Sequence, residues 1–198
     1  MFIALLAACQ PQLKSGDVLF ADDFAKTESG WNRGSDADAT TDYLDGEYQI
    51  KIFTANLNVW SVGAPAFGDA LIDVNARTAG GPDNNLFGLI CRYQDDQNFY
   101  FLVISADSYY GIGKYKEGAS MLLNSAVYEY SDIIPPGPAA HHLTATCIGD
   151  TLTLSINGTK LAQAKDTDFK TGKLGLIAGS FDEPEVDVRF DNLAVTQP

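Results

Sequence analysis

Basic residues are scarce in this 198-residue chain. Only 13 lysines and arginines stand against 26 aspartates and glutamates, and the formal net charge is -13. Sequence-independent binding to nucleic acid depends on clustered positive charge, so this composition excludes nucleic acid as a partner. The acids are scattered along the sequence, which indicates that they keep the protein soluble.

Long apolar runs and helical periodicity are missing too. The N-terminal apolar run is much shorter than the roughly 20 residues that cross a bilayer. Beyond residue 17 the dominant period is two, as where Tyr48, Ile50 and Ile52 alternate with polar residues. This alternation is typical of strands with one buried and one wet face. The sequence therefore predicts a single all-β domain over residues 17–198.

Residues 84–118 contain three strand-like runs separated by two polar turns, the pattern of a β-meander. In its first strand, alternation directs Phe87, Leu89, Cys91 and Tyr93 into the core and Arg92 outward. Farther along, Gly149-Asp150 and Asn157-Gly158 suit tight hairpin turns. The proline-rich segment 133–140 is expected to cross between two sheets.

The residues Leu6-Ala7-Ala8-Cys9 resemble the bacterial lipobox, in which small residues precede a lipidated cysteine. The resemblance implies that residues 1–16 are a lipoprotein signal remnant and tether, with Cys9 as the lipidation site. Membrane contact would then be made only through the lipid, and the domain would lie outside the cytoplasm on the bacterial cell envelope. Because no lysine or arginine precedes the apolar run, a hydrophobic tail around a chance cysteine is the alternative.

Two further cysteines, Cys91 and Cys147, remain as an even pair. Alternation points both into the core, where they could form a disulfide bond outside the cytosol or remain buried thiols. The residues alone leave both alternatives open. Their spacing argues against structural zinc, because no paired-cysteine motif or histidine cluster accompanies them.

Five short motifs follow one another in a fixed order along the chain. They are Leu19-Phe20-Ala21-Asp22-Asp23-Phe24, Ser29-Gly30-Trp31, Gly46-Glu47-Tyr48, the strand from Gly88 to Tyr93, and Arg189-Phe190-Asp191-Asn192-Leu193. The series resembles the laminin-G-like and 3-keto-disaccharide hydrolase-like branch of the concanavalin A-like superfamily. The resemblance implies a two-sheet antiparallel β-sandwich, or jelly roll, with its first and last strands side by side. It also implies a concave sheet that binds sugars.

Motifs for catalysis are missing. The Glu-x-Asp-x-x-Glu pattern of β-glucanases on this fold does not occur, and adjacent His141 and His142 should point to opposite faces of a strand. No cofactor or metal is expected. The one dense acid group surrounds Pro184 at a predicted turn, where it is either solvated or a weak calcium site; it comprises Asp182, Glu183, Glu185 and Asp187.

Aromatic and basic side chains on the outward side of the meander could stack on a sugar ring and fix its hydroxyls. The predicted ligand-binding residues are Trp60, Arg92, Tyr100, Tyr110 and Lys114. Alternatively, the aromatic residues fill the core and Arg92 pairs with Asp73.

The first hypothesis is a monomeric, surface-anchored, non-catalytic, lectin-like module that binds carbohydrate on the concave sheet. One alternative is a glycoside hydrolase of the 3-keto-disaccharide hydrolase-like type. Another is an envelope scaffold or sensor domain without a sugar ligand. The missing glucanase motif favours binding over hydrolysis.

Overall fold

The computed structural model describes residues 13–198. The predicted lipidation site Cys9 and residues 1–12 of the predicted signal remnant and tether lie outside these described residues. The described chain forms sixteen strands: β1 (Val18–Asp22), β2 (Gly34–Ser35), β3 (Ala39–Leu44), β4 (Glu47–Ile52), β5 (Asn58–Phe67), β6 (Ala70–Gly80), β7 (Asn85–Asp95), β8 (Asn98–Ile104), β9 (Tyr109–Lys116), β10 (Ala119–Leu122), β11 (Glu129–Tyr130), β12 (Ala140–Ile148), β13 (Thr151–Ile156), β14 (Thr159–Lys165), β15 (Gly172–Ser180) and β16 (Val186–Thr196). Within residues 13–198 no helix is long and apolar enough to span a bilayer.

The strands form two antiparallel sheets. The nine-stranded sheet has the order β14-β13-β12-β6-β16-β4-β3-β2, with β1 also paired to β16. The seven-stranded sheet has the order β10-β9-β8-β7-β15-β5, with β11 also paired to β9. The predicted all-β sandwich is confirmed.

Local expectations agree with this topology. The predicted meander is the run β7, β8 and β9, whose strands pair in succession. The first and last strands lie side by side, with Asp22 opposite Leu193. Positive φ angles at Asn157 and Gly158 fit the predicted hairpin turn. The segment between β11 and β12 crosses from one sheet to the other, as its prolines indicated.

The main core lies between the two sheets, and alternation fills it from both sides. Ile72 and Val74 contribute from the nine-stranded sheet, and Phe87, Leu89 and Leu176 from the seven-stranded sheet. All five side chains are fully buried. Burial of each such side chain contributes about 1.5–3 kcal/mol, so this interior provides the main stabilisation of the fold.

Cys91 and Cys147 form a disulfide bond between β7 and β12. The structure thus contains the bonded form, one of the two alternatives that the residues left open. Both residues lie in the main core, and the bond joins the two sheets across it.

Breaking this bond should destabilise the fold, because it closes a loop of 56 residues and so restricts the unfolded chain. Replacing both cysteines with alanine should lower the free energy of unfolding by about 2–4 kcal/mol, measured by urea denaturation. Reductant should shift the wild-type transition towards that of the double variant. A wild-type transition insensitive to reductant under denaturing conditions would contradict the bond.

His141 faces the core and His142 faces solvent, as strand alternation predicted. The His141 ring is 1% exposed, stacks on Phe87 at a centroid distance of 6.2 Å, and has no hydrogen-bond partner within the described chain for either nitrogen. Burial lowers the pKa of His141 below its usual value of 6.5. The ring is therefore held neutral inside the sandwich.

This burial predicts a pH-dependent stability. The unfolded chain takes up a proton at His141 as the pH falls below 6.5 while the folded chain does not, so stability is complete above that pH and decreases below it. The slope should reach at most about 1.4 kcal/mol per pH unit. Urea denaturation from neutral to mildly acidic pH should show this loss in the wild type and in His142→Gln. In His141→Phe the loss should be absent, and an unchanged slope there would contradict the assignment.

Candidate functional site

The seven-stranded sheet carries a second hydrophobic cluster on its outer face, away from the main core. Its buried members are Leu86, Ile90, Phe99, Phe101, Val103 and Ile177. Larger rings pack over them from neighbouring positions, namely Trp60, Tyr93, Tyr115, Tyr128 and Phe181. Both faces of this sheet are thus largely apolar and covered.

One part of that cover centres on Trp60. Its ring lies 5.2 Å from the ring of Phe99, and its Nε1 donates a hydrogen bond of 2.9 Å to Asp96. The Tyr93 hydroxyl donates to the same Asp96 oxygen at 2.7 Å. Both hydrogen bonds lower the pKa of Asp96, and the bond from Tyr93 has the larger effect. The polar edges of both rings are therefore already satisfied within the protein.

A cleft of about 470 Å³ opens at the end of the sheet where β7 and β9 begin. Its floor includes Leu86 and Val103 of the outer-face cluster. Its rings and polar groups come from Tyr109, Tyr110, Tyr128, Phe181, Asn84, Asn85, Ser105 and Asp107. We call this site the aromatic cleft; an apolar concavity with a few polar groups is the usual form of a small-ligand site.

The segment between β10 and β11 forms one wall of the aromatic cleft. Asn124 holds this segment to β9 by accepting a hydrogen bond of 2.7 Å from the Ile112 backbone N–H. The segment positions Tyr128 against Phe181, with ring centroids 6.1 Å apart. A β-carbon at Gly111 would lie only 2.8 Å from the Tyr128 ring, so the missing side chain makes room for this wall.

Buried polar contacts hold another part of the cleft lining. Asn85 is fully buried, donates to the Pro82 carbonyl at 2.7 Å and accepts from the Ala106 N–H at 3.1 Å. In the next turn, Ser105 accepts from the Tyr109 N–H at 2.9 Å and donates to Asp107. These bonds fix the turn that carries Asp107 into the cleft wall.

The five predicted ligand-binding residues do not converge. Tyr110 lies in the wall of the aromatic cleft. Its burial raises its pKa, and the nearby Glu129 carboxylate raises it further. Trp60 lies on the expected outer face but belongs to the cover around Asp96. The prediction that all five residues share one outward surface is therefore wrong.

Arg92 points inward rather than outward, because the strand register shifts after Cys91 and Arg92 has a φ of +53°. The same bulge turns Tyr93 to the outer face, against the alternation predicted for it. Arg92 is 2% exposed, and its charged partner is Asp69 instead of Asp73. Its guanidinium donates to Asp69 at 3.1 Å and to the carbonyls of Gly149 at 2.8 Å, Phe169 at 3.0 Å, Cys147 at 3.2 Å and Gly68 at 3.4 Å.

Tyr100 and Lys114 also point inward, since Tyr100 pairs with inward-facing Cys91 and Lys114 pairs with Tyr100. Residues directly opposite on antiparallel strands share a face. The Tyr100 hydroxyl donates to Asp166 at 2.6 Å, and burial followed by this bond raises the pKa of Tyr100. Burial opposes the charge of Lys114, but its bonds to Asp166 and Asp168 prevail and raise its pKa. Both residues hold the 166–168 segment.

Sequence reasoning missed Asn85, Asp107, Tyr128 and Phe181. For Tyr128 the sequence holds one signal, the glycines of Gly111-Ile112-Gly113, since glycine inside a strand marks a bulge or a close approach of another part of the chain. As for metals, no group of three or more His, Cys, Asp or Glu side chains within residues 13–198 is arranged to hold an ion. The acid group around Pro184 does not form such a group in the described chain.

No family model matches the chain, and no curated protein matches it. Several solved structures match the chain. A carbohydrate-binding module, CBM66 from Bacillus subtilis, is 17% identical with a TM-score of 0.67 over 85% of this chain and 96% of that one. A Bacillus subtilis protein of unknown function with a galectin-like fold is 12% identical with a TM-score of 0.69, covering 94% and 98% of the two chains. A Bacillus licheniformis β-glucanase is 13% identical with a TM-score of 0.62, covering 94% and 100%. At these identities the likeness shows the fold, a galectin-like or concanavalin A-like jelly roll.

The contacts of Arg92 predict that it stabilises the fold. Arg92→Met keeps most of the side-chain bulk but leaves the buried carbonyls without a donor, so the free energy of unfolding should fall by about 3–5 kcal/mol. The control Arg33→Met removes an exposed ion pair with Asp42 and should leave stability nearly unchanged. Urea denaturation measures both. An Arg92→Met protein as stable as the wild type would contradict this role.

Proposed function

We propose that this protein is a non-catalytic carbohydrate-binding module that holds a sugar in the aromatic cleft. The observation that carries the proposal is the cleft itself: rings of Tyr109, Tyr128 and Phe181 beside the polar side chains of Asn84 and Asp107. Sugars offer apolar ring faces for stacking and hydroxyls for hydrogen bonds, and this lining offers both complements. The carbohydrate-binding module among the structural neighbours supports the same class of ligand.

Binding is favoured over hydrolysis by the number of acids at the cleft. Glycoside hydrolysis by the common mechanisms needs two carboxyl groups that converge on one bond, about 5–5.5 Å apart in retaining enzymes. Among the described residues, Asp107 is the one carboxylate that lines the aromatic cleft. The 3-keto-disaccharide hydrolase-like alternative therefore lacks the second acid at this site.

We further propose that the domain is anchored to the cell envelope by lipid at Cys9, with the cleft facing away from the membrane. Val18 pairs with Thr196, and Thr196 pairs with Leu71 near the start of β6. The aromatic cleft lies beyond the other end of β6, where the chain enters β7 at Asn85. The length of β6 separates the two ends by roughly 30 Å. A tether leaving from Val18 would thus keep the cleft accessible to external glycans.

Removing the Tyr128 ring from the cleft wall tests the proposal. The wild type should bind at least one member of a panel of oligosaccharides in titration calorimetry, and Tyr128→Ala should weaken that binding about tenfold by loss of stacking. Tyr128→Phe keeps the ring and should retain most of the affinity. Trp60→Phe, which alters the outer face away from the cleft, should bind like the wild type.

Each other outcome contradicts part of the proposal. A folded wild type that binds no glycan would favour an envelope scaffold or sensor, and turnover of glycosides would favour a hydrolase. Loss of binding in Trp60→Phe with full affinity in Tyr128→Ala would move the site to the surface around Asp96.

A further inference from the structure

The aromatic cleft has a negatively charged lining residue and, within the described chain, no positively charged one. Asp107 is its one charged lining residue, and within residues 13–198 no lysine, arginine or histidine forms an ion pair with it. Its described partner is the hydroxyl of Ser105, which leaves the negative charge uncompensated. A carboxylate beside apolar rings is best satisfied by a ligand that brings a positive charge.

The rings around Asp107 suit the same ligand. Tyr110 and Tyr128 both line the cleft, and as tyrosines they are neutral near physiological pH. Tyr109 and Phe181 complete the aromatic lining. An ammonium group against several aromatic faces and one carboxylate gains both cation–π and ionic stabilisation.

The segments that build the cleft share this sign of charge. They are residues 81–86, 105–110, 123–139 and 181–186, and none of them contains a lysine or an arginine. Their acids are Asp83, Asp107, Glu129, Asp132, Asp182, Glu183 and Glu185. A cleft surrounded by one sign of charge raises the local concentration of ligands of the opposite sign and disfavours anionic glycans such as uronates.

We propose that the sugar bound in the aromatic cleft is an amino sugar with a free ammonium group, held between the Asp107 carboxylate and the tyrosine rings. This inference rests on the proposed function and adds the chemical class of its ligand. It distinguishes de-N-acetylated amino sugars from their N-acetylated, neutral and acidic counterparts. The neutral amide of an N-acetylated sugar carries no charge for Asp107 to bind.

A matched pair of ligands tests the inference. β-1,4-linked glucosamine oligomers and their fully N-acetylated forms of equal length differ only at the nitrogen. In mildly acidic buffer, where the amines are protonated, calorimetry on the full chain should show about tenfold tighter binding of the free-amine oligomer. That affinity should fall as salt is added, because the interaction is ionic.

Variants identify the group responsible. Asp107→Asn keeps the acceptor for Ser105 but removes the charge, and should abolish the preference for the free amine. Asp132→Asn, an acid of a cleft-building segment that does not line the cleft, should keep the preference. A circular dichroism melt in the same buffer confirms that each variant is folded.

The outcomes separate the two proposals. Equal binding of both oligomers, stronger binding of the N-acetylated or another neutral oligosaccharide, or an unchanged preference in Asp107→Asn would overturn the inference and leave the proposed function standing. Failure of the folded wild type to bind any carbohydrate would overturn both.

Discussion

The register among β7, β8 and β15 is the constraint on which the rest of the structure depends, because this sheet is buried on both faces. It places Cys91 and Tyr100 opposite each other on the inner side and Ile90 opposite Phe101 on the outer side. A slip of one residue would exchange the two sets and move the disulfide out of the core. The main core, the outer-face cluster and the cleft floor are therefore determined together.

The fold was predictable because it follows from local alternation. In the long strands of the nine-stranded sheet, buried positions repeat with a period of two, and turns such as Asn157-Gly158 mark where strands reverse. The inward direction of Cys91 and Cys147 followed from the same alternation, and so did the opposite environments of His141 and His142. Whether the two thiols are bonded depends on the distance between two sheets, which alternation within one strand does not specify.

The site was much less predictable, because its residues depart from alternation or come together through distant packing. Arg92 adopts a positive φ although it is not a glycine, and no residue beside it in the sequence indicates the bulge. Tyr100 and Lys114 were assigned to the wrong face, although their register with Cys91 would have corrected both. Tyr128 reaches the cleft from a segment without regular structure, where no strand pattern places it, and Gly111 makes room for its ring.

Specificity in this protein is expected to lie in the end segments rather than in the strands. Near Trp60, the polar groups of Trp60 and Tyr93 are bonded to Asp96, which leaves these two side chains little to offer a ligand. At the other end of the outer face, the aromatic rings leave part of the sheet uncovered, and this gap is the aromatic cleft beside Asp107. Segments at the end of a sandwich can change without loss of the core. The same jelly roll can therefore serve modules with different ligands, and under the proposed function the charge and rings of these few segments would select the sugar.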